Sequence, residues 1–335
     1  MLDSLRQVAF LVRDLPEAAE LYRKALGTTP CHTGKLPQYG LANMVLPAGQ
    51  GTFIELLQPT SANSNAARYL ERRGEAPYML IFETRKFDEL VVRLKSLDVR
   101  ISGQTEEAGH RSVFIHPASA NGAFLEIIEV NDSNNPWPAA GPNWTAEETK
   151  PLTKQLRQSA ILVRDLDQAT QRWEEMFGLK TTQRFEVSFT DLEIAVIPME
   201  GLNTFIELAQ PTSSDTTSAR FLERYGEGIY LTIYEIEDSL ALDSYLQGQG
   251  VQFTSSRMTA NYTNLGFNSI WLHPRAMKAR LPSFPRCSTR KTPGPLPEIA
   301  GTGRRSKRAS RLTGESRCPG TLMLRGFNGS RPAPG

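Results

Sequence analysis

The chain has 335 residues, of which 39% are hydrophobic and 22% are charged. That balance is typical of a soluble globular protein, and the length allows two domains with their own cores. The formal net charge of +2 combines two unlike parts, because residues 275–335 carry 14 Lys or Arg and 2 Asp or Glu, which leaves the rest at −10. An acidic body argues against nucleic-acid binding.

Membrane and secretory classes are excluded on similar grounds. No apolar run reaches the roughly 18 residues that a membrane span requires. The N-terminus lacks the basic region, apolar segment and cleavage site of a secretory signal. Three cysteines are too few and too scattered for a disulfide framework or a zinc site. We therefore expect a cytoplasmic protein without a membrane partner.

The chain repeats itself at an offset of 152 residues. Residues 52–78 and 204–230 are identical at 17 of 27 positions, and the opening at residues 5–27 recurs at residues 156–178. Repetition at this spacing indicates two copies of one module. Each opening has a short apolar strand, an Asp that can cap a helix, an amphipathic stretch and a glycine at the expected helix end.

A fainter copy of the same plan lies within each module. Residues 78–99 and residues 230–251 again have a strand followed by a helix, and short strands follow every such start. The pattern predicts an α+β fold of two tandem modules, each built from paired βαβββ units. Pairing of the two modules within the chain is expected, and a homodimer is left open.

Composition predicts the boundaries between these parts. The first module spans residues 1–130, and residues 131–155 form a linker because they are rich in Pro, Asn and Gly. The second module spans residues 156–278. A last apolar strand should follow there, but a basic, Pro- and Gly-rich tail at residues 279–335 comes instead.

We predict from this tail that the second module lacks its final strand. A change of reading frame near Lys278 is the favoured hypothesis, because the break falls where a core strand is required. A natural disordered basic tail is the alternative. Resequencing the gene distinguishes the two.

The quoted motifs carry a family resemblance. LRQVAFLVRDLPEAAELYRKALG, FIELLQPTS with LERRGE, and FIHPASANGAFLEIIEV resemble the vicinal oxygen chelate superfamily, and the pattern is most similar to methylmalonyl-CoA epimerase-like modules. The resemblance covers residues 5–130 and 156–278. It implies sheets that curl into a cup, in which members usually hold a divalent metal on four strands. Their ligands are typically His, Glu or Gln, His and Glu.

Carried onto this chain, the resemblance implies four positions in module 1 and three in module 2. Those of module 1 are Gln7, Glu55, Met79 and Glu126. Those of module 2 are Gln158, Glu207 and Leu231, because the fourth falls in the missing strand. No histidine remains at either histidine position. A set of one amide, one thioether and two carboxylates is a poor site for zinc, iron or cobalt, so a divalent metal is doubtful and a metal-free cup is expected.

Two glutamates stand out by strand periodicity. Glu126 shares a strand face with Phe124 and Ile128, and Glu55 shares one with Phe53 and Leu57. A carboxylate among apolar neighbours needs a partner or a function. An apolar setting would raise its pKa toward the range of proton transfer. We interpret both as candidate catalytic residues, with Glu126 as the base, although an exposed edge position would explain each structurally.

The remaining positions are interpreted as contacts to a small molecule: Gln7, Met79, Gln158, Glu207 and Leu231. Three functions follow. The first is an isomerase or lyase of the glyoxalase or epimerase type, which acts next to the carbonyl of an oxo acid or thioester. The second is a metal-free binding or resistance-type protein. The third is a two-module ring-cleaving dioxygenase, ranked last because that chemistry needs a two-histidine iron site.

Overall fold

The computed structural model describes residues 1–107, 109–144, 151–187, 190–255, 267–272 and 321–327, the last segment and residues 267–268 by their backbone alone. Module 1 contains two βαβββ units with one additional helix between them. Its elements are β1 Ser4–Leu11, α1 Leu15–Leu26, β2 His32–Leu36, β3 Leu41–Gly49, β4 Thr52–Pro59, α2 Asn65–Arg73, β5 Ala76–Glu83, α3 Phe87–Ser96, β6 Ile101–Glu107, β7 His110–Ile115 and β8 Phe124–Val130.

Module 2 repeats this order. Its elements are β9 Thr153–Leu162, α4 Leu166–Phe177, β10 Phe185–Val187, β11 Leu192–Pro198, β12 Phe205–Pro211, α5 Thr217–Tyr225, β13 Gly228–Ile236, α6 Ser239–Gly248, β14 Phe253–Ser255, β15 Phe267–Leu272 and β16 Thr321–Phe327. The predicted α+β class and the tandem arrangement are confirmed. None of the helices in the described parts of the chain is long and apolar enough to cross a membrane.

The first helix shows why the repeated opening folds as it does. The Asp14 side chain accepts a hydrogen bond from the Glu17 backbone N–H at 2.8 Å, which caps α1, a contact worth about 1 kcal/mol. Gly27 ends the helix in the left-handed conformation at φ 65°, which glycine adopts at no steric cost. Asp165 and Gly178 do the same for α4. The apolar side of each helix packs on its sheet.

Each module forms one eight-stranded sheet. The order in module 1 is β2-β3-β4-β1-β5-β8-β7-β6, and module 2 has the equivalent order β10-β11-β12-β9-β13-β16-β15-β14. The pairs at the centre are β1 with β5, antiparallel, and β5 with β8, parallel. The sheet of module 1 is curled, since the Tyr39 ring beside β2 lies 6.0 Å from the Phe114 ring on β7 near the opposite edge. The concave side is the predicted cup.

The predicted absence of a last strand in module 2 is wrong. Residues Thr321–Phe327 form β16, which pairs in parallel with β13 and antiparallel with β15. Without β16, both neighbours would keep an edge of unpaired backbone groups. The short run TLMLRGF supplies that pairing, and the basic composition of the surrounding tail concealed it. The rest of the tail from residue 273 lies outside the described residues.

The two modules pair within the chain, as expected. β9 begins at Thr153, inside the segment predicted to be linker, and the Thr153 hydroxyl donates to the Ala48 carbonyl at 2.9 Å. The Leu5 backbone N–H donates to the Thr204 hydroxyl at 2.8 Å. Apolar side chains of both modules share one buried cluster. The linker itself packs on module 1, where Trp137 is fully buried.

Candidate functional site

The cup of module 1 encloses a cavity of about 780 Å³. Central strands and their neighbours line it with polar and aromatic side chains. The four residues that the sequence placed in the module 1 site all line this cavity: Gln7, Glu55, Met79 and Glu126. Strand pairing brings Gln7 and Glu126 to the same level of the sheet. Gln7 on β1 pairs with Ile81 on β5, and Ile81 pairs in turn with Glu126 on β8.

Glu55 is held by amide groups. Gln7 Nε2 donates to Glu55 Oε2 at 3.0 Å, and Asn43 Nδ2 donates to Glu55 Oε1 at 2.8 Å. Burial raises the pKa of Glu55, and the two amide hydrogen bonds act in the opposite direction. A buried carboxyl with both oxygens paired in this way is fixed in position. Its first role is therefore to orient the amides around it.

Trp137 extends this network from the linker. Its indole Nε1–H donates to Gln7 Oε1 at 3.0 Å, and the Arg6 guanidinium lies 4.5 Å from the centre of its ring. Gln7 therefore gives its N–H to Glu55 and receives an N–H on its oxygen. The amide orientation is determined from both ends.

Glu126 is in a different environment. Its Oε1 accepts a hydrogen bond from the Ser112 hydroxyl at 2.9 Å, and its side chain is only partly exposed, to the cavity. Burial raises the pKa of Glu126 to about 8, the negative charges of Glu55 and Glu107 add to the rise, and the Ser112 hydrogen bond opposes it. A carboxyl with such a pKa exchanges a proton readily near neutral pH.

The metal that the resemblance implies does not fit these four residues. Gln7 directs its carbonyl oxygen to Trp137, and Glu55 has both oxygens on amide N–H groups. The third position, Met79, offers only a thioether, which suits soft metals, whereas carboxylates suit hard ones. Within the described ranges no group of three or more His, Cys, Asp or Glu side chains is arranged to hold an ion.

A β-bulge brings Tyr78 into the site. Regular alternation along β5 would place the neighbours Tyr78 and Met79 on opposite faces, but both residues line the cavity. The register explains this, because Ala9 pairs with Met79 while the next residue, Phe10, pairs with Pro77. The extra residue turns Tyr78 toward the cup. Tyr78 also meets the α2 residue Tyr69, with 5.1 Å between ring centres.

The corresponding residues of module 2 lie in a separate cup. Gln158 Nε2 donates to Glu207 Oε2 at 2.7 Å, and Leu231 is buried on β13. Met323 takes the register position of Glu126, since Ile233 pairs with Met323 as Ile81 pairs with Glu126. The predicted set Gln158, Glu207 and Leu231 is thus not brought to the cavity that contains the candidate base.

Sequence reasoning missed three residues that set the chemistry of this site: Asn43, Ser112 and Trp137. Two of them carry a signal that strand periodicity could have found. Asn43 shares the buried face of β3 with Leu41 and Val45. Ser112 is two residues from Phe114 on β7, so strand alternation places both on one face. Trp137 offers no such signal, because nothing local links a linker residue to β1.

Two family models match the chain. A model of a glyoxalase-like domain matches residues 8–155. A model described as the glyoxalase/bleomycin resistance protein/dioxygenase superfamily matches residues 157–267. Each module therefore has its own match, in agreement with the repeat.

Individual proteins agree with these models. The ethylmalonyl-CoA/methylmalonyl-CoA epimerase of Cereibacter sphaeroides is 30% identical over 135 residues, which are 39% of this chain and 100% of the relative. The mitochondrial methylmalonyl-CoA epimerase of Homo sapiens is 28% identical over 133 residues, 38% of this chain and 75% of the relative. A variant of 4-hydroxymandelate synthase from Streptomyces coelicolor superposes with a TM-score of 0.66 at 15% identity, over 99% of this chain and 94% of that one. The last likeness shows the fold alone.

Proposed function

Since the chain belongs to the vicinal oxygen chelate superfamily, which includes glyoxalases, bleomycin resistance proteins and dioxygenases, we propose that it is an enzyme that shifts a proton on a carbon next to a carbonyl group. Glu126 is the acid–base residue of this proposal. The observation that carries it is the position of the Glu126 carboxyl in the cavity, where burial raises its pKa to about 8. The similarity to epimerases of acyl-CoA substrates supports the same class of reaction.

The proposed step requires no redox partner. The Glu126 carboxylate removes the proton from the carbon next to the carbonyl, and the electron pair of that C–H bond moves to the carbonyl oxygen to form an enolate. The protonated Glu126 then returns a proton to the same carbon, and the enolate electron pair re-forms the carbonyl group. Epimerisation results when the enolate turns in the cavity first, so that the proton arrives on its opposite face.

The enolate needs hydrogen-bond donors, and the amide network supplies them. Gln7 and Asn43 each use one N–H hydrogen on Glu55. Each amide nitrogen carries two hydrogens, so a second one remains for a developing negative oxygen. Donors that are already oriented stabilise such charge without a reorganisation cost. Glu55 is a positioning residue in this scheme, and the substrate is an oxo acid or a thioester.

A second candidate function is metal-free binding of a small molecule. The pairing of Gln7, Glu55 and Trp137 favours it, because a preorganised polar surface suits tight binding as well as catalysis. A third, ring-cleaving dioxygenation, agrees with the two-module fold. Its iron site would need imidazoles at positions that are Gln7 and Met79 here.

Proton exchange with solvent distinguishes the first candidate from the others. The full chain is incubated in deuterium oxide with 2-oxobutyrate or methylmalonyl-CoA, and deuterium next to the carbonyl is measured by mass spectrometry. We expect incorporation by the native chain, and a loss of at least about a hundredfold in Glu126→Gln, as is typical when an acid–base residue is removed. Glu106→Gln, which changes an exposed carboxylate on β6, is the matched control. Equal incorporation in both variants would reject Glu126 as the base.

A further inference from the structure

One side of the cavity is a continuous row of aromatic rings. We define this aromatic wall as Tyr39, Tyr78, Phe114 and Phe124, all of which line the cavity. The ring centres are 5.5 Å apart between Tyr78 and Phe124, 6.0 Å between Phe124 and Phe114, and 6.0 Å between Phe114 and Tyr39. Such spacings are those of interacting aromatic pairs. The wall therefore behaves as one surface of ring faces and edges.

The wall is close to the candidate base. Phe124 and Glu126 are two residues apart on β8 and face the same side, and Phe114 on β7 lies directly opposite Glu126 in the register. A molecule that places a carbonyl group at Glu126 would thus meet the aromatic wall with its other end. The amides of Gln7 and Asn43 also line the cavity, so a polar group of the same molecule has donors within it.

Tyr39 completes the wall from the other edge of the sheet. It ends a short 3-10 turn at Pro37–Tyr39, between β2 and β3, and the residue is 40% exposed. Gly40 follows in the left-handed conformation at φ 63° and reverses the chain there. A large aromatic ring left exposed at a cavity mouth is a surface that a ligand can cover.

Module 2 does not repeat this wall in full. Thr321 occupies the register position of Phe124, since it pairs with Leu231 as Phe124 pairs with Met79. Met323 likewise replaces Glu126. Both replacements, of an aromatic residue and of the carboxylate, occur in β16. Elsewhere in module 2, Tyr230 and Trp271 keep aromatic residues at the positions of Tyr78 and Phe114. The complete wall accompanies the candidate base.

We propose that the cavity of module 1 takes a carbonyl compound that carries an aromatic ring, with the ring against the aromatic wall and the carbonyl group at Glu126. This narrows the substrate class and rests on the proposed function for its chemistry. Ring faces and edges in a wall recognise a planar ring by offset-stacked and edge-on contacts, which a saturated ring of equal size cannot make. Tyr39 lies over the ring at the mouth of the cavity.

Binding of two matched probes tests this. Phenylpyruvate and its cyclohexyl analogue have the same head group and a six-membered ring, and their dissociation constants are measured by calorimetry with the full chain. We expect phenylpyruvate to bind roughly tenfold more tightly. Phe114→Leu should remove most of this preference. Phe185→Leu, which changes an exposed ring on β10, should leave it unchanged.

Tyr39 gives a variant that does not depend on the core. Because its ring is partly exposed, Tyr39→Ala is expected to fold, and it should weaken phenylpyruvate severalfold, while Tyr39→Phe should keep native binding. Equal affinities for the two probes, or a preference that survives Phe114→Leu, would overturn the proposal.

Measuring both probes and deuterium exchange with the native chain separates the two proposals. A ring preference in a native chain that shows no deuterium exchange would support the wall and reject the enzyme. Exchange on 2-oxobutyrate without a ring preference would do the reverse.

Discussion

Trp137 and Gln7 are 130 residues apart in the chain and are joined by a hydrogen bond of 3.0 Å inside the cup. The linker is thus part of the site, because its indole determines which end of the Gln7 amide faces Glu55. Replacing Trp137 with Phe removes the indole N–H and leaves the buried side-chain oxygen of Gln7 without this hydrogen-bond donor. We expect a loss of about 1–3 kcal/mol in the free energy of unfolding, measured by urea denaturation. Trp144→Phe changes a half-buried indole of the same segment, which packs on Phe53 with 5.4 Å between ring centres, and serves as the comparison.

The raised pKa of Glu126 predicts how stability depends on pH. The carboxyl titrates near 4.5 in the unfolded chain and near 8 in the folded one. Between these values the unfolded state is ionised and the folded state is protonated, so the free energy of unfolding falls as pH rises and this contribution is lost above about 8. Glu126→Gln removes this pH dependence, because the amide does not titrate.

We therefore expect Glu126→Gln to be more stable than the native chain at about pH 8.5, and the difference to shrink toward about pH 5. Urea denaturation at both pH values measures this, with Glu106→Gln as the exposed control. A constant difference at the two pH values would contradict a raised pKa.

Ser112 modulates the same carboxyl. Its hydroxyl donates to Glu126 Oε1 at 2.9 Å and thereby opposes the rise in the pKa of Glu126. Ser112→Ala should raise this pKa further, because the hydrogen bond that favours the ionised carboxyl is lost. The carboxyl carbon of Glu126 can be titrated by NMR, which does not depend on activity, and the midpoint of deuterium exchange should move in the same direction. Ser96→Ala, at an exposed site on α3, is the control.

The altered donor set predicts that a metal site can be rebuilt. Gln7→His and Met79→His together would place two imidazoles beside Glu55 and Glu126, a set that transition metals favour. We expect the double variant to retain near-stoichiometric zinc in elemental analysis and the native chain to retain far less. Gln158→His with Leu231→His is the matched control, since Met323 stands at the Glu126 position there. Equal zinc contents in both double variants would show that Glu126 is not required for zinc binding.

The sequence predicted several residues that line the cavity. A period of two along β4 and β8 predicted inward faces for Glu55 and Glu126, and the family resemblance supplied Gln7 and Met79. Three-dimensional effects decided the rest. Tyr78 faces the cavity because of a bulge in the pairing of β1 and β5, which depends on two strands at once. The strand β16 was missed because a seven-residue run was averaged into a basic tail.

That strand gives the last prediction. β16 lies between β13 and β15, so a chain that ends at residue 320 would leave both with unpaired backbone groups on a long edge. We expect this truncation to lower the soluble yield and to promote aggregation, measured by light scattering after gentle heating. A chain that ends at residue 328 retains β16 and should behave like the full chain. If both truncated chains were equally soluble, TLMLRGF would not be a strand of module 2. The sheet of module 2 would then lack its final strand, as the sequence analysis predicted.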